Sequence, residues 1–285
     1  MYSNAKINEK IAFGLLKIAT GMVVAFVLVI LYYIISNGYS AISLDFITEM
    51  PRNRMTEGGI YPAIMGTTYL IIGSMAVALP LGMLSAIYLT EYAKPSKTTW
   101  AIEMAISNLA GTPSVVFGLF GLAMFVKYLG FGPSILSASL TLALLILPVI
   151  IRASQEALLT VPKEYREASL ALGVTKWETI RRVVLPAAIP GMITGAILSI
   201  GRVAGETAPI LLTGAAYFLP RLPDSIYSEF MALPYHLYVL ATSGTSIAQT
   251  RPIQYGTALI LLIIVLCVNL VAVTLRTHYR NKLKR

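Results

Sequence analysis

Two groups of residues in this chain of 285 residues have types and spacings that could do chemistry. The first is the pair Arg202 and Glu206, four residues apart in an otherwise apolar run at 187–212. On one helix that spacing puts both side chains on one face, about a turn apart. If the span begins near Ala187, Arg202 lies ~22 Å along it at the helical rise per residue. A charge at that depth costs on the order of 3 kcal/mol by insertion scales, so it usually faces a cavity, a partner charge or a substrate path. A guanidinium is also shaped for bidentate contact with a phosphate-like oxyanion. In one reading Arg202 lines a path and touches an anion transiently, while Glu206 holds its side chain and limits the strength of binding. Thr207 completes that candidate site, and Thr213 and Ser199 could add hydroxyl donors. In the other reading the pair only fixes packing between helices. Gly191, Gly195, Gly201 and Gly205 make small-xxx-small patterns that allow close helix approach, which suits both readings.

The second group is a charged loop at 152–186. Pro162 precedes Lys163, where a proline loses no hydrogen bond at a helix start, and Gly173 follows Leu172, where glycine closes a helix. These signals predict a helix of about two to three turns, with Glu164, Glu167, Ala168, Ala171 and Leu172 on neighbouring faces. Trp177, Ile180, Val183 and Val184 begin a second amphipathic run that Pro186 and Pro190 steer into the next span. A helix that is polar on one side, bracketed by apolar spans, suits docking on a soluble partner better than burial in lipid. A solvated loop without a partner is the plainer alternative.

The elements that must position these groups are membrane spans. The chain is 56% apolar and only 12% charged, with mean hydropathy +0.74, too apolar for an ordinary soluble domain. Six apolar runs are long enough to cross a bilayer, at about 18–35, 62–90, 100–129, 134–151, 187–212 and 256–275. The first is too long for a cleaved signal peptide. The second carries Pro80 and Gly82, and a kinked helix fits it. The third is interrupted by Gly111-Thr112-Pro113-Ser114. Non-helical backbone at membrane depth must be buried in protein or line a cavity, so this break either borders a pathway or is an interfacial turn.

The expected organisation is an all-α polytopic protein with an N-terminal span at 1–36, an external loop at 37–61, a core at 62–280 and a basic tail at 281–285. A long segment at 213–255 is external, and its residues 225–240 read either as a surface helix where a partner docks or as a packed loop.

Fifteen Lys and Arg fall on one predicted side, among them Arg152, Lys163, Arg166, Arg181, Arg182, Arg276 and Arg280. Five, Arg52, Arg54, Lys127, Arg221 and Arg251, fall on the other. That excess places both termini and the 152–186 loop in the cytoplasm. The formal charge of +9 therefore reports topology, and nucleic-acid binding loses its main support.

Within the loop, Glu167-Ala168-Ser169, Gly173 after three residues and Val183-Val184-Leu185-Pro186 after nine more resemble the EAA loop of bacterial ABC-transporter permeases. Ser169 stands for the motif's second Ala and Val183 for its Ile. The run Gly201-Arg202-Val203-Ala204-Gly205-Glu206-Thr207-Ala208-Pro209 narrows the likeness to the PstA-type permeases of phosphate importers. The resemblance spans about residues 60–280. It implies the type I importer permease fold in a bacterial or archaeal plasma membrane, with a coupling helix carrying Glu164, Glu167, Ala168 and Gly173. It implies a PstC-type second permease, two PstB-type ATPase subunits that use ATP and Mg, and a PstS-type phosphate-binding protein. ATP binding would then move the coupling helix and open the path outward. The PstC-type sister subunit, permeases for molybdate, sulfate or phosphonate, and a passive anion channel are the alternatives.

Catalysis by this chain itself finds no support. It has no Gly-Lys dipeptide, hence no Walker A loop. His236, His278 and Cys267 are too few for a usual zinc site or a disulfide. Cys267, in the last apolar run, reads as a small packing residue. An intramembrane enzyme would need a nucleophile and base that neither histidine is placed to supply.

Overall fold

The computed structural model describes residues 2–243 and 247–283; the last two residues of the basic tail lie outside them. In chain order the helices are α1 (Tyr2–Gly38), α2 (Leu44–Thr48), α3 (Tyr61–Ile87), α4 (Lys97–Ala110), α5 (Ser114–Gly121) and α6 (Ile135–Leu159). They continue with α7 (Lys163–Ala171), α8 (Lys176–Thr179), α9 (Leu185–Gly205), α10 (Ala208–Thr213), α11 (Leu233–Thr242) and α12 (Ile247–Leu283). One small antiparallel hairpin, β1 (Pro51–Arg52) and β2 (Glu57–Gly58), lies between α2 and α3.

Among the described residues, five stretches are long and apolar enough to cross a membrane, at Glu9–Ala41, Tyr61–Tyr92, Ile135–Leu159, Lys176–Gly205 and Thr250–His278. A sixth is the pair α4 and α5, bent by 103° at the Gly111–Pro113 break. The break was legible: Pro113 has no N–H to donate, and a residue before proline is pushed out of helical geometry. Ser96 and Ser134 cap α4 and α6 by accepting hydrogen bonds from Thr99 N and Ser137 N. Three π-helical turns occur among the described residues: Tyr88–Tyr92 ends the α3 span, Leu122–Tyr128 ends that of α5, and Ile180–Val184 joins α8 to α9. The helix of α3 continues through Pro80, and that of α9 through Pro190.

The bundle is built around α6, whose apolar window is 67% buried, against 33% for the windows of α3 and α9 and none for α1. Small residues let the neighbours close on it. A Cβ at Gly73 of α3 would lie 2.5 Å from Ser139 Oγ, and one at Gly82 2.6 Å from Ile150 Cγ2. On the other side, Gly191 and Gly195 of α9 face Ala157 and Ala153, where a Cβ would come within 2.7 and 2.4 Å. Gly201 and Gly205 do not share this role: a Cβ at either meets nothing within 4 Å. The expected packing pattern therefore holds at Gly191 and Gly195 and not at Gly201 and Gly205, although Val203 and Ala204 between them are buried.

Of the expected external segment at 213–255, residues 214–243 pack against the bundle and residues 247–255 already belong to α12. Residues 225–232 are not helical, and the helix occupies 233–242, with Pro234 in its first turn. Phe230, Met231, Ala232 and Leu233 are fully buried, and Leu233 N donates to Thr67 Oγ1 of α3 at 2.9 Å. Cys267 is exposed on α12, contrary to its expected place as a packing residue. In lipid an exposed apolar face needs no cover.

His236 of α11 is 2% exposed, and neither ring nitrogen has a hydrogen-bond partner among the described residues. Burial pushes its pKa down to about 4. The neutral form is thus favoured in the fold, and this stabilisation is complete above the ordinary value of 6.5 and lost as pH falls from 6.5 towards 4. His236→Leu should flatten that part of the acid-stability curve, measured as the difference in thermal unfolding between variant and parent from pH 7 to 4. Gly195→Val should lower stability by about 1–3 kcal/mol through overpacking against Ala153, whereas Gly201→Ala, inside the helix with open space at its Cβ, should raise it by up to about 1 kcal/mol.

Candidate functional site

Glu206 does not continue the helix of Arg202. The α9 helix ends at Gly205, Glu206 is extended at φ −73° and ψ 130°, and α10 begins at Ala208. The expected unbroken span at 187–212 is therefore two helices. The cause is Pro209: it lacks the N–H that would bond to the carbonyl of Gly205, and its ring would clash with that carbonyl. Arg202 sits in the last turn of α9, where a cation complements the unpaired carbonyls. Because the helix runs back without interruption to Lys176, Arg202 stands ~39 Å from that end at the helical rise. That is further along the span than the sequence suggested.

The pair survives the break. Arg202 Nε reaches Glu206 Oε1 at 3.4 Å, with the arginine side chain 35% exposed and the glutamate 15%. Nη1 and Nη2 of Arg202 make no hydrogen bond among the described residues. Thr207 stands at the N-cap of α10 but makes no capping hydrogen bond. Ser199 and Thr213, by contrast, are fully buried and donate to their own helices, to Gly195 O at 2.9 Å and Pro209 O at 2.8 Å. They present no donor to a path.

The two broken segments face each other. A Cβ on Gly118 of α5 would come within 2.9 Å of Pro209 Cα and 3.2 Å of Ala208 O. One on Gly121 would come within 2.0 Å of Thr141 Oγ1 and 2.9 Å of Thr213 Cγ2. Helix α5 thus lies directly against α10, its glycines admitting the backbone that Pro209 has released from the helix. Helix α4 is tied to α6 separately: Arg152 donates to Glu103 Oε2, to Glu103 O at 3.0 Å, to Ser107 Oγ at 2.7 Å and to Gln155 Oε1 at 3.1 Å. Neither Gly118 nor the Arg152 cluster was singled out in the sequence, since both act through partners distant in the chain.

At the α7 end, Gly173 adopts φ +78° and closes the helix as expected. Glu164, Glu167, Ala168 and Gly173 are all exposed, in company with Tyr165, Leu172 and Trp177. Ser169, at the motif position expected to be Ala, is buried with its hydroxyl 2.9 Å from that of Thr179. The substitution is therefore built into the contact between α7 and α8.

The arrangement matches a known family. Residues 78–285 fit the model of the binding-protein-dependent transport system inner membrane component. The chain belongs to this family. The permease is 37% identical over 292 residues to a probable ABC transporter permease, YqgI, of Bacillus subtilis (strain 168), covering 98% of this chain and 99% of the relative. It is 38% identical over 264 residues to the phosphate transport system permease protein PstA 1 of Mycobacterium tuberculosis (strain CDC 1551 / Oshkosh), covering 90% and 85%. Its fold is that of ABC importer permeases. A bacterial alginate ABC transporter in complex with a pentasaccharide-bound periplasmic protein superposes with TM-score 0.65 at 16% identity, covering 90% of this permease and 92% of that chain. The MetNI methionine ABC transporter, in an inward-facing form, gives TM-score 0.58 at 18% identity over 78% and 94%. Membership implies an ATPase and a substrate-binding protein as partners of the permease.

Gly118→Val tests the contact between the broken segments. The added methyls meet the backbone of Pro209, so thermal unfolding in detergent should show a loss of about 1–3 kcal/mol relative to the parent.

Proposed function

We infer that this permease is one transmembrane half of an ATP-driven importer of inorganic phosphate, that Arg202, Glu206 and Thr207 line its path, and that Arg202 contacts the anion on its way while Glu206 holds the guanidinium. The observation that carries this reading is the state of Arg202. Arg152 spends its guanidinium on Glu103, Ser107 and Gln155, and Arg166 spends its own on Glu91 and backbone carbonyls. Among the described residues Arg202 uses only Nε, leaving the two-pronged end of the fork free beside Gly201 and Gly205, where a Cβ would meet nothing within 4 Å. A planar fork with two free prongs suits a tetrahedral oxyanion. Glu206, close by, moderates the attraction so that the anion can leave. The phosphate permeases among the relatives support this substrate.

Both termini and α7 lie in the cytoplasm on this reading, because the excess of Lys and Arg falls on that side. Glu164, Glu167, Ala168 and Gly173 then form the surface of α7 that meets the ATPase, with Tyr165, Leu172 and Trp177 supplying apolar contact. A PstC-type permease, two PstB-type ATPases using ATP and Mg, and a PstS-type binding protein complete the assembly.

Uptake of labelled phosphate in cells lacking the chain and complemented with it tests this assignment. Complementation should restore uptake that sulfate and molybdate do not compete away and that ATP depletion abolishes; restoration for another oxyanion would overturn the substrate. Arg202→Lys keeps the charge but loses the fork, and should lower uptake about tenfold or more at unchanged protein level. Parental uptake in that variant would remove Arg202 from the path.

A further inference from the structure

Arg166 holds three helices at one point, and nothing in the local sequence announces it. Its guanidinium meets the carboxylate of Glu91, 75 residues away, with Nη2 at 2.7 Å from Oε1 and Nε at 3.1 and 3.3 Å from the two oxygens. The same group donates to the carbonyls of Leu158 at 2.9 Å and Val161 at 2.8 Å, at the end of α6. The carboxylate side chain is 7% exposed and the arginine side chain 20%, the most enclosed ion pair among the described residues. Arg166 itself is on α7 and Glu91 is in the π-helical turn Tyr88–Tyr92 that ends the α3 span. Next to Glu91, Lys176 at the start of α8 lies over the Tyr92 ring, 4.8 Å from its centroid. Both sides of the 163–179 loop therefore grip the same turn of α3.

A bidentate, enclosed charge pair is a stiff link, because breaking it would strand a buried carboxylate. A π-helical turn is the compliant part of a helix and is found disproportionately at functional sites. Joining the two makes an arrangement in which displacement of α7 is delivered to α3 and α6 together while the turn absorbs the change in angle.

We propose that the Arg166–Glu91 pair is the joint that transmits movement of α7 to the spans α3 and α6, so that it couples ATP hydrolysis to transport. This rests on the reading of α7 as the surface that meets the ATPase. Arg166 and Glu91 are positioning residues here: they touch neither anion nor nucleotide. Exposed α7 residues make the contact with the ATPase, and the buried pair behind them carries the displacement inward.

The test uses the complex purified through a tag on this chain from its native membrane, with Glu91→Gln, Arg166→Glu, Glu91→Arg and the double exchange. Three quantities are read: labelled phosphate uptake in cells, ATP hydrolysis by the purified complex, and ATP-dependent alkylation of a cysteine placed at Gly205 in a Cys267→Ser background. Position 205 is chosen because a side chain there meets nothing within 4 Å.

In the single variants the ATPase should still co-purify and hydrolyse ATP, while uptake falls about tenfold or more and the ATP-dependent change in alkylation disappears. The double exchange should recover part of both. Glu91→Gln keeps the side-chain volume, so its loss of coupling would not be a folding failure. Wild-type uptake and alkylation in Glu91→Gln and Arg166→Glu would overturn the proposal. So would loss of the ATPase subunit from every single variant without recovery in the exchange, since the pair would then serve docking or folding alone. If the parent shows no phosphate uptake yet its alkylation follows ATP and the pair, the joint stands and the phosphate reading falls.

Discussion

Everything in this structure follows from the requirement that backbone polar groups and charges be satisfied within the protein when water is absent. The chain breaks its helices twice where an ordinary span would not, at Gly111–Pro113 and at Glu206–Thr207. The second break is tolerated because α5 and α10 close on each other, Gly118 admitting the backbone of Ala208 and Pro209. Ser134 N also donates to Thr213 O at 3.0 Å, fixing the end of α10 to the start of α6. The start and end of α10 are thus held by protein, while the short non-helical stretch at Glu206 and Thr207 stays partly exposed beside Arg202.

Charge is distributed by the same rule. Arg152 ties α4 to α6, Arg166 ties α7 to α3 and α6, and Arg276 reaches Thr194 of α9 at 3.2 Å. Each of these guanidiniums bridges helices that are far apart in sequence. Arg202 alone among these four engages only a carboxylate four residues along its own chain, through one nitrogen. Three arginines hold the scaffold, and the fourth is held loosely enough to do something else.

Packing and openness alternate along α9 for a related reason. Its first half approaches α6 through Gly191 and Gly195, and its second half carries Gly201 and Gly205 with no neighbour to meet. Glycine serves two purposes in one helix: close approach where a neighbour is present, and clear space where none is. The stretch at 214–232 packs over the start of α6, where Ile135 N and Leu136 N donate to Ser228 O and Ile226 O, and it runs from Gly214, at φ +158°, to the fully buried Phe230 and Met231.

Much of this was legible in the residue order. Apolar runs of sufficient length predicted the spans, Pro162 and Gly173 bounded α7, and Pro113 marked a break, because these signals act within a few residues of themselves. Pro209 carried the same information about the end of α9, yet the i, i+4 spacing of Arg202 and Glu206 suggested an unbroken helix. Backbone sterics at proline outweigh a favourable side-chain spacing. What only the tertiary structure decided is which helices meet. Four glycines of one pattern divided into two packed and two open, Ser199 and Thr213 turned inward, and Arg166 found Glu91 across 75 residues. Local propensity is written in neighbouring residues, whereas the pairing of distant side chains depends on how the helices pack in three dimensions.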